Sequence, residues 1–224
     1  MYIVTGCSSG LGYQISKCLL NRGDRVLGIS RGIGKAELLK NSENFSLINI
    51  DLSVIDDLEI LTDYINNAPN NSITLVLNAA RFHYEEPGNE KIKLAQEIFN
   101  TNYFGAINII QKCSLNKLKR VLFINSVAGL ESQKAQAQYS SSKHALQAYS
   151  EILAKKSVGM NFDVMSINPG GINTELWKDN PILDKKIVDG FLNPEVLAKL
   201  ICNLIDLPNN TYIKSFNILP EHDV

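Results

Sequence analysis

The chain has 224 residues, and its 22 Lys and Arg against 23 Asp and Glu leave a formal net charge of -1, with 45% hydrophobic residues. That length suits one α/β domain with a sizeable core, and no charge run or Pro/Ser-rich linker divides it. A near-neutral balance supplies no field for nucleic acid or an anionic membrane, and no apolar run approaches the roughly 18 residues a span needs.

Met1-Tyr2-Ile3-Val4-Thr5 enters a strand without a leader-like segment, so a cytoplasmic protein is expected. Tyr2-Ile3-Val4 breaks into Thr5-Gly6-Cys7-Ser8-Ser9-Gly10-Leu11-Gly12, after which Ile15, Cys18 and Leu19 recur at helical spacing. Strand, glycine turn and helix in that order let backbone amides and a helix N-terminus approach a pyrophosphate, although a tight connection would use the same glycines. Cys7, Cys18, Cys113 and Cys202 lack C-x-x-C spacing, and His83, His144 and His222 lack ligand spacing, so packing or surface roles and no metal are expected.

Arg25 to Ser30 reads as a buried strand ending in Ser30-Arg31-Gly32, where dinucleotide folds select the ribose. An acid there would hold a 2′-hydroxyl, whereas Ser30 and Arg31 suit a phosphate, so NADP(H) is favoured over NAD(H) unless Arg31 is only a solvated loop residue. Phe45 to Ile50 forms a third strand; Ser53 reads as the next helix's N-cap, and Asp51 as a loop acid or a contact to adenine, beside Leu52. Ile73 to Leu77 is a fourth strand running into Asn78-Ala79-Ala80, and Arg81 to Glu90 is a polar loop that carries Phe82, His83 and Tyr84.

From Lys91 to Cys113 a helical period buries Asn102, either bonded to backbone in a kink or holding a water. Val121 to Ile124 is the most apolar strand and delivers Ser126; the helix from about Ala137 to Lys156 carries Tyr139 and Lys143. Four residues apart on a helix, that phenol and ammonium share a face. With Ser126 opposite, they form a proton-donating site for a carbonyl oxygen if a hydride source lies nearby. Phe162 to Ile167 is a sixth strand, followed by Asn168-Pro169-Gly170-Gly171 and a mixed stretch, residues 173–193, that reads as a substrate lid. Asn193-Pro194-Glu195 starts a helix, and Tyr212 to Leu219 is a seventh strand. The expected fold is a Rossmann-like, doubly wound parallel sheet of about seven strands with helices on both faces in a single domain.

With these pieces in order, the chain resembles the single-domain short-chain dehydrogenase/reductase family over essentially its whole length. Thr5-Gly6, Gly10 and Gly12 look like its cofactor turn, and Asn78-Ala79-Ala80 like its N-A-G motif. Asn102, Ser126, Tyr139 and Lys143 look like its catalytic set, and Pro169-Gly170 with Thr174 like its P-G segment. The resemblance implies hydride transfer between a nicotinamide and a small carbonyl or alcohol. Tyr139 would exchange the proton, Ser126 bond the alkoxide, Lys143 hold the ribose and, with the oxidised nicotinamide, bring the phenol toward working pH, and Asn102 anchor a water. Ser8, Ser9 and Leu11 would join the cofactor turn, Asp51 and Leu52 would bracket adenine, and Ile172 and Thr174 would meet the carboxamide.

Two departures stand out: Ala80 replaces the usual glycine, and Asn217-Ile218-Leu219-Pro220 replaces a D-G-G ending, so a homodimer is as well supported as a homotetramer. A catalytically silent NADP(H)-binding sensor or scaffold is the alternative from another class. The pocket is read as partly apolar from Phe82, Tyr84, Leu130, Trp177 and Phe191, and the substrate is not readable.

Overall fold

In the computed structural model, residues 1–54, 56–85, 87–88, 91–177, 185–208, 211 and 213–221 are described. Seven parallel strands alternate with helices: β1 (Tyr2–Thr5), α1 (Gly10–Asn21), β2 (Val26–Ser30), β3 (Phe45–Asn49), α2 (Leu61–Asn66) and β4 (Ile73–Leu77) make the first half. The second half holds α3 (Ile92–Phe99), α4 (Gly105–Lys112), α5 (Ser114–Lys117), β5 (Leu118–Ile124), α6 (Ala137–Ser157), β6 (Asp163–Pro169), α7 (Lys185–Asp189), α8 (Pro194–Ile205) and β7 (Phe216–Ile218). The sheet order is β3-β2-β1-β4-β5-β6-β7, and every pairing is parallel. The expected doubly wound sheet of about seven strands is therefore observed.

Each central strand is apolar on both faces because both are covered. Ile3, Leu75, Leu77, Val121, Phe123 and Val164 pack into a core with residues of α2, α4 and α6. Their neighbours Val4, Val76, Leu122, Ile124, Met165 and Ile167 point the other way, against α1 and α8. Each such side chain fully buried contributes about 1.5–3 kcal/mol. Cys7 fills space beside β2, where a Cβ added to Gly28 would lie 2.6 Å from its Sγ, and burial pushes its thiol up to about 11, as suits a packing residue.

Several boundaries differ from the sequence expectation. The helix from Lys91 to Cys113 is broken by a π turn at Asn100–Phe104. Ser53, expected as a helix cap, instead donates its N–H and its hydroxyl to Asp51 Oδ1 at 2.9 and 2.7 Å. The final strand is shorter than Tyr212 to Leu219, and Tyr212 and His222 lie outside the described residues. Asn193 does cap α8, its Oδ1 accepting from Glu195 N and Val196 N. Among the described residues no helix is long and apolar enough to cross a membrane.

The fifth strand begins three residues earlier than its apolar run and so contains Arg120, only 1% exposed. Its guanidinium donates to Asp163 Oδ2 at 2.8 Å, to Leu207 O at 2.9 Å and to Ile205 O, the last two at the C-terminal end of α8. One buried cation thereby satisfies carbonyls that a helix end leaves without partners. Arg120→Met should lower stability in urea by ~3 kcal/mol, because it leaves Asp163 and those carbonyls uncompensated. A loss under ~1 kcal/mol would show that water replaces the guanidinium at little cost.

Candidate active site

The strand order reverses beside β1, so the C-terminal ends of β1 and β4 flank a crevice of the kind that binds ligands in open α/β sheets. Thr5 closes its floor: its hydroxyl donates to Val76 O at 3.4 Å and accepts from Asn78 N and Ala79 N, both at 2.9 Å. Asn78 Nδ2 returns a bond to Thr5 O at 3.0 Å. Gly6, at φ +70°, lies so close to β4 that an added Cβ would sit 2.9 Å from Ala79 Cα. A Cβ on Gly12 would approach Gly6 O to 2.3 Å, so that glycine seats α1 on the turn. At the start of α1, Ser9 is extended, makes no side-chain cap, and is followed by no acid in the first turn. The orphan amides and the positive end of the helix dipole thus meet the crevice without a competing acceptor.

At the other end of the crevice β5 delivers Ser126, whose Oγ accepts from Ala128 N at 3.1 Å and donates weakly to Pro169 O at 3.5 Å. Tyr139 and Lys143 on α6 converge on it, both buried, with Lys143 Nζ 5.8 Å from the phenol ring centroid. Nζ donates to Ile124 O at 3.1 Å. Burial pushes the Tyr139 phenol up to about 12, against the lowering effect of its hydrogen bond with Ser126, and pulls the Lys143 ammonium down to about 8. In the protein alone, burial thus displaces the phenol away from neutrality, opposite to the direction expected once Lys143 and an oxidised nicotinamide both act on it.

Asn102 is 1% exposed within the π turn, and its side chain is engaged. Oδ1 accepts from Arg81 N at 2.7 Å, while Nδ2 donates to Arg81 O and to Ser142 Oγ, each at 3.0 Å. Ser142 Oγ in turn donates to Tyr139 O at 2.7 Å. Of the two sequence readings, an Asn bonded to backbone at a helix kink describes this side chain, which braces the Arg81 loop against the helix of Tyr139.

A continuous cleft of about 700 Å³ joins these parts. Gly6, Ser8, Ser9, Gly10 and Leu11 line it beside Ser30, Arg31, Asp51 and Leu52, and further along it reaches Asn78, Ala79 and Ala80. Ser126, Tyr139, Lys143, Pro169, Gly170, Ile172 and Thr174 complete the expected set, while Thr5, Gly12 and Asn102 stand behind the wall. Ser30 Oγ is committed to Gly32 O at 2.5 Å, leaving Arg31, which is exposed, as the donor at that end. Burial raises the pKa of Asp51, but the Ser53 N–H and hydroxyl, with Arg31 and Arg81, more than offset it and leave the carboxyl below its ordinary value.

Beyond Tyr139 the cleft is lined by Tyr84, Leu176, Trp177 and Phe191, with Glu131, Gln133 and Gln136 at its rim. Of the residues expected here, Leu130 is 41% exposed and Phe82 packs against Tyr139 and Trp177, and neither lines the cleft; His83 is exposed. The expected lid is described at residues 173–177 and 185–193; residues 178–184 lie outside the described residues. Sequence reasoning missed Glu131, Gln133, Gln136 and Ser142, and also Glu85, whose Oε1 accepts from Gln138 N at 2.9 Å in the first turn of α6. No periodicity marks such loop-to-helix contacts; only Ser142, inside the Tyr139-to-Lys143 turn, stood where it could be suspected.

The sequence model of the short chain dehydrogenase family matches residues 1–182. The "Probable short-chain type dehydrogenase/reductase VdlC" of Helicobacter pylori is 29% identical, over 88% of this chain and 74% of that protein. A farnesol dehydrogenase of Aedes aegypti is 26% identical, over 97% of this chain and 94% of its own. Among solved structures, a serine dehydrogenase complexed with NADP+ superposes with a TM-score of 0.86 at 20% identity, covering 97% of this chain and 93% of that one. A 4-hydroxyisoleucine dehydrogenase mutant complexed with NADH and succinate gives 0.85 at 22% identity, covering 98% and 96%. A switch-point crevice with an uncapped helix start, a Ser126–Tyr139–Lys143 cluster at its far end, and a family match spanning most of the chain lead to one assignment: the chain belongs to the short chain dehydrogenase family of oxidoreductases.

Proposed function

We propose that the protein transfers a hydride between a nicotinamide dinucleotide, NADP(H) in preference to NAD(H), and a carbonyl or alcohol carbon, with Tyr139 exchanging the proton. The observation that carries this reading is the single cleft that runs from the uncapped start of α1 to the buried Ser126, Tyr139 and Lys143. The first end fits a pyrophosphate: its glycines bring backbone close, and no first-turn acid opposes an anion. The solved relatives that hold NADP+ or NADH support the same class of cofactor. When bound, the dinucleotide supplies or accepts the hydride.

The chain's own groups then divide the remaining work. Ser126 hydrogen-bonds the substrate oxygen, Tyr139 holds the proton that the oxygen receives in reduction, and Lys143 places its ammonium beside the phenol. Ser142 and Asn102 position the backbone of Tyr139 without touching substrate. Arg31 lines the cleft just past β2, a position that carries no acid, and favours a 2′-phosphate over a bare ribose although Asp51 lines the same end.

Tyr139→Phe should reduce kcat for carbonyl reduction by about 10²- to 10⁴-fold with little change in NADPH binding. Unchanged turnover would defeat the mechanism, and tight NADPH binding without turnover of any carbonyl by the unaltered protein would return it to the sensor reading. Below about pH 8, Tyr139 and Lys143 both keep their protons, so kcat/KM for reduction should be level there and fall at higher pH, while alcohol oxidation climbs across the same range. A reduction rate that rises with pH would contradict this proton inventory. Arg31→Glu should weaken NADPH about tenfold or more in fluorescence titration and leave NADH nearly unchanged; tighter binding of NADH by the unaltered protein would remove Arg31 from this role.

A further inference from the structure

We propose that the substrate is an uncharged carbonyl compound bearing a ring, and that the site discriminates against carbonyls carrying a carboxylate or phosphate; this rests on the hydride-transfer reading above. The end of the cleft next to the reacting phenol is a connected wall of aromatic rings. Tyr84, Tyr139 and Trp177 present the lining rings, and Phe82, which does not itself line the cleft, packs against all three, with ring centroids 5.0 Å from Tyr139, 4.9 Å from Trp177 and 5.6 Å from Tyr84. Trp177 carries the wall on to Phe191 at 5.3 Å. Rings at such separations attract edge-to-face, and a further ring laid among them gains about 0.5–1.5 kcal/mol per pair beyond its buried area.

The wall is apolar in its chemistry and fixed in its place. Trp177 spends its one donor on Ile172 O at 2.7 Å, so its indole offers the cleft π surface and no hydrogen bond. Phe191 lies against Gly171, where an added Cβ would come within 2.6 Å of the ring. The backbone around it is stitched by Leu192 N to Gly171 O at 2.9 Å and Asn173 N to Leu192 O at 3.0 Å. A surface already in position loses little entropy when it receives a ring.

Charge supplies the second half of the inference. Among the described residues lining the cleft the basic side chains are Arg31, at the dinucleotide end, and Lys143, buried and donating to Ile124 O. At the aromatic end the charged liner is an acid, Glu131; Glu175 also lines the cleft but pairs at 2.5 Å with Lys35, whose backbone N–H is bonded to Ser8 O of the glycine turn. A substrate carboxylate there would be desolvated beside Glu131 with no described cation lining that end to receive it. Lys134 shares the connection with Glu131 but does not line the cleft. Gln133 and Gln136 offer amides suited to a neutral polar substituent on the ring.

A matched pair of aldehydes separates charge from shape: methyl 4-formylbenzoate and 4-formylbenzoate, with octanal as a neutral chain of comparable size. With NADPH, kcat/KM should be about tenfold or more higher for the ester than for the acid or octanal. Glu131→Lys should raise the acid's value a few-fold at low salt and leave the ester's unchanged, since a rim charge is screened. Phe82→Ala should lower the ester's value about tenfold and octanal's much less. Trp177 is the sole tryptophan, so its emission reports binding independently of turnover. In NADP+-loaded protein the ester should quench it saturably and the acid should not. Equal turnover of acid and ester, or no response of Trp177 to the ester, would overturn the proposal. Selective quenching by the ester with no reduction of any aldehyde would uphold the selectivity and overturn the hydride-transfer reading instead.

Discussion

The hydroxyl of Thr5 is a small group on which the whole cleft depends. It joins β1 to β4 where the sheet changes direction, accepting from Asn78 N and Ala79 N while donating to Val76 O. Parallel strands that diverge at their C-terminal ends leave backbone amides without ladder partners, and an unpaired buried amide costs about 1–3 kcal/mol. Thr5 absorbs two of them at once. The same clasp holds Gly6 against Ala79 and so fixes the distance between the glycine turn and β4. An apolar residue of the same shape would fill the space and leave the crevice floor unsatisfied.

At the opposite end desolvation dominates. Tyr139 and Lys143 are displaced in opposite directions, each toward its neutral form. Returning the phenol from about 12 to its ordinary range takes roughly 3 kcal/mol. That equals one unit charge about 6 Å away at an effective dielectric near 20. The Lys143 ammonium, 5.8 Å from the phenol ring, is placed to supply such a charge while it keeps its proton, and the phenol stays protonated at neutral pH.

The elements written by local pattern were legible in the sequence, and those created by contact between distant segments were not. The strands, the glycine turn and the Tyr139–Lys143 face follow from runs, spacing and glycine placement, and they emerged as expected within a few residues. Arg120 was invisible because a cation inside a strand contradicts the apolar pattern; its reason is the end of α8, more than 80 residues away. Asn102 was found as a buried polar side chain, but its partners Arg81 and Ser142 could not be named from periodicity. The same blindness hid Glu131, Gln133 and Gln136, which reach the cleft only because the chain between β5 and α6 folds back over it. The displacement of the Tyr139 phenol by burial was equally invisible, because the sequence shows the neighbouring ammonium and conceals how far both groups are removed from water.

These contacts between distant segments also explain how a loop can hold a specific surface. The segment from Arg81 to Glu85 has no regular structure, yet both its ends are tied to α6, to the connection before it or to the π turn beside it. Asn102 grips the N–H and the carbonyl of Arg81 and passes the constraint through Ser142 to Tyr139. At the other end Glu85 N donates to Ala135 O, and the Glu85 carboxylate accepts from Gln138 N in the first turn of α6. A carboxylate there also meets the positive end of a 21-residue helix. Phe82 lies between the two ties, so its distance from Tyr139 is fixed by hydrogen bonds rather than by loop propensity. Tyr139 and the aromatic cluster around Phe82 are thus held in place by one set of hydrogen bonds, and the cluster's position does not depend on the loop's own propensity.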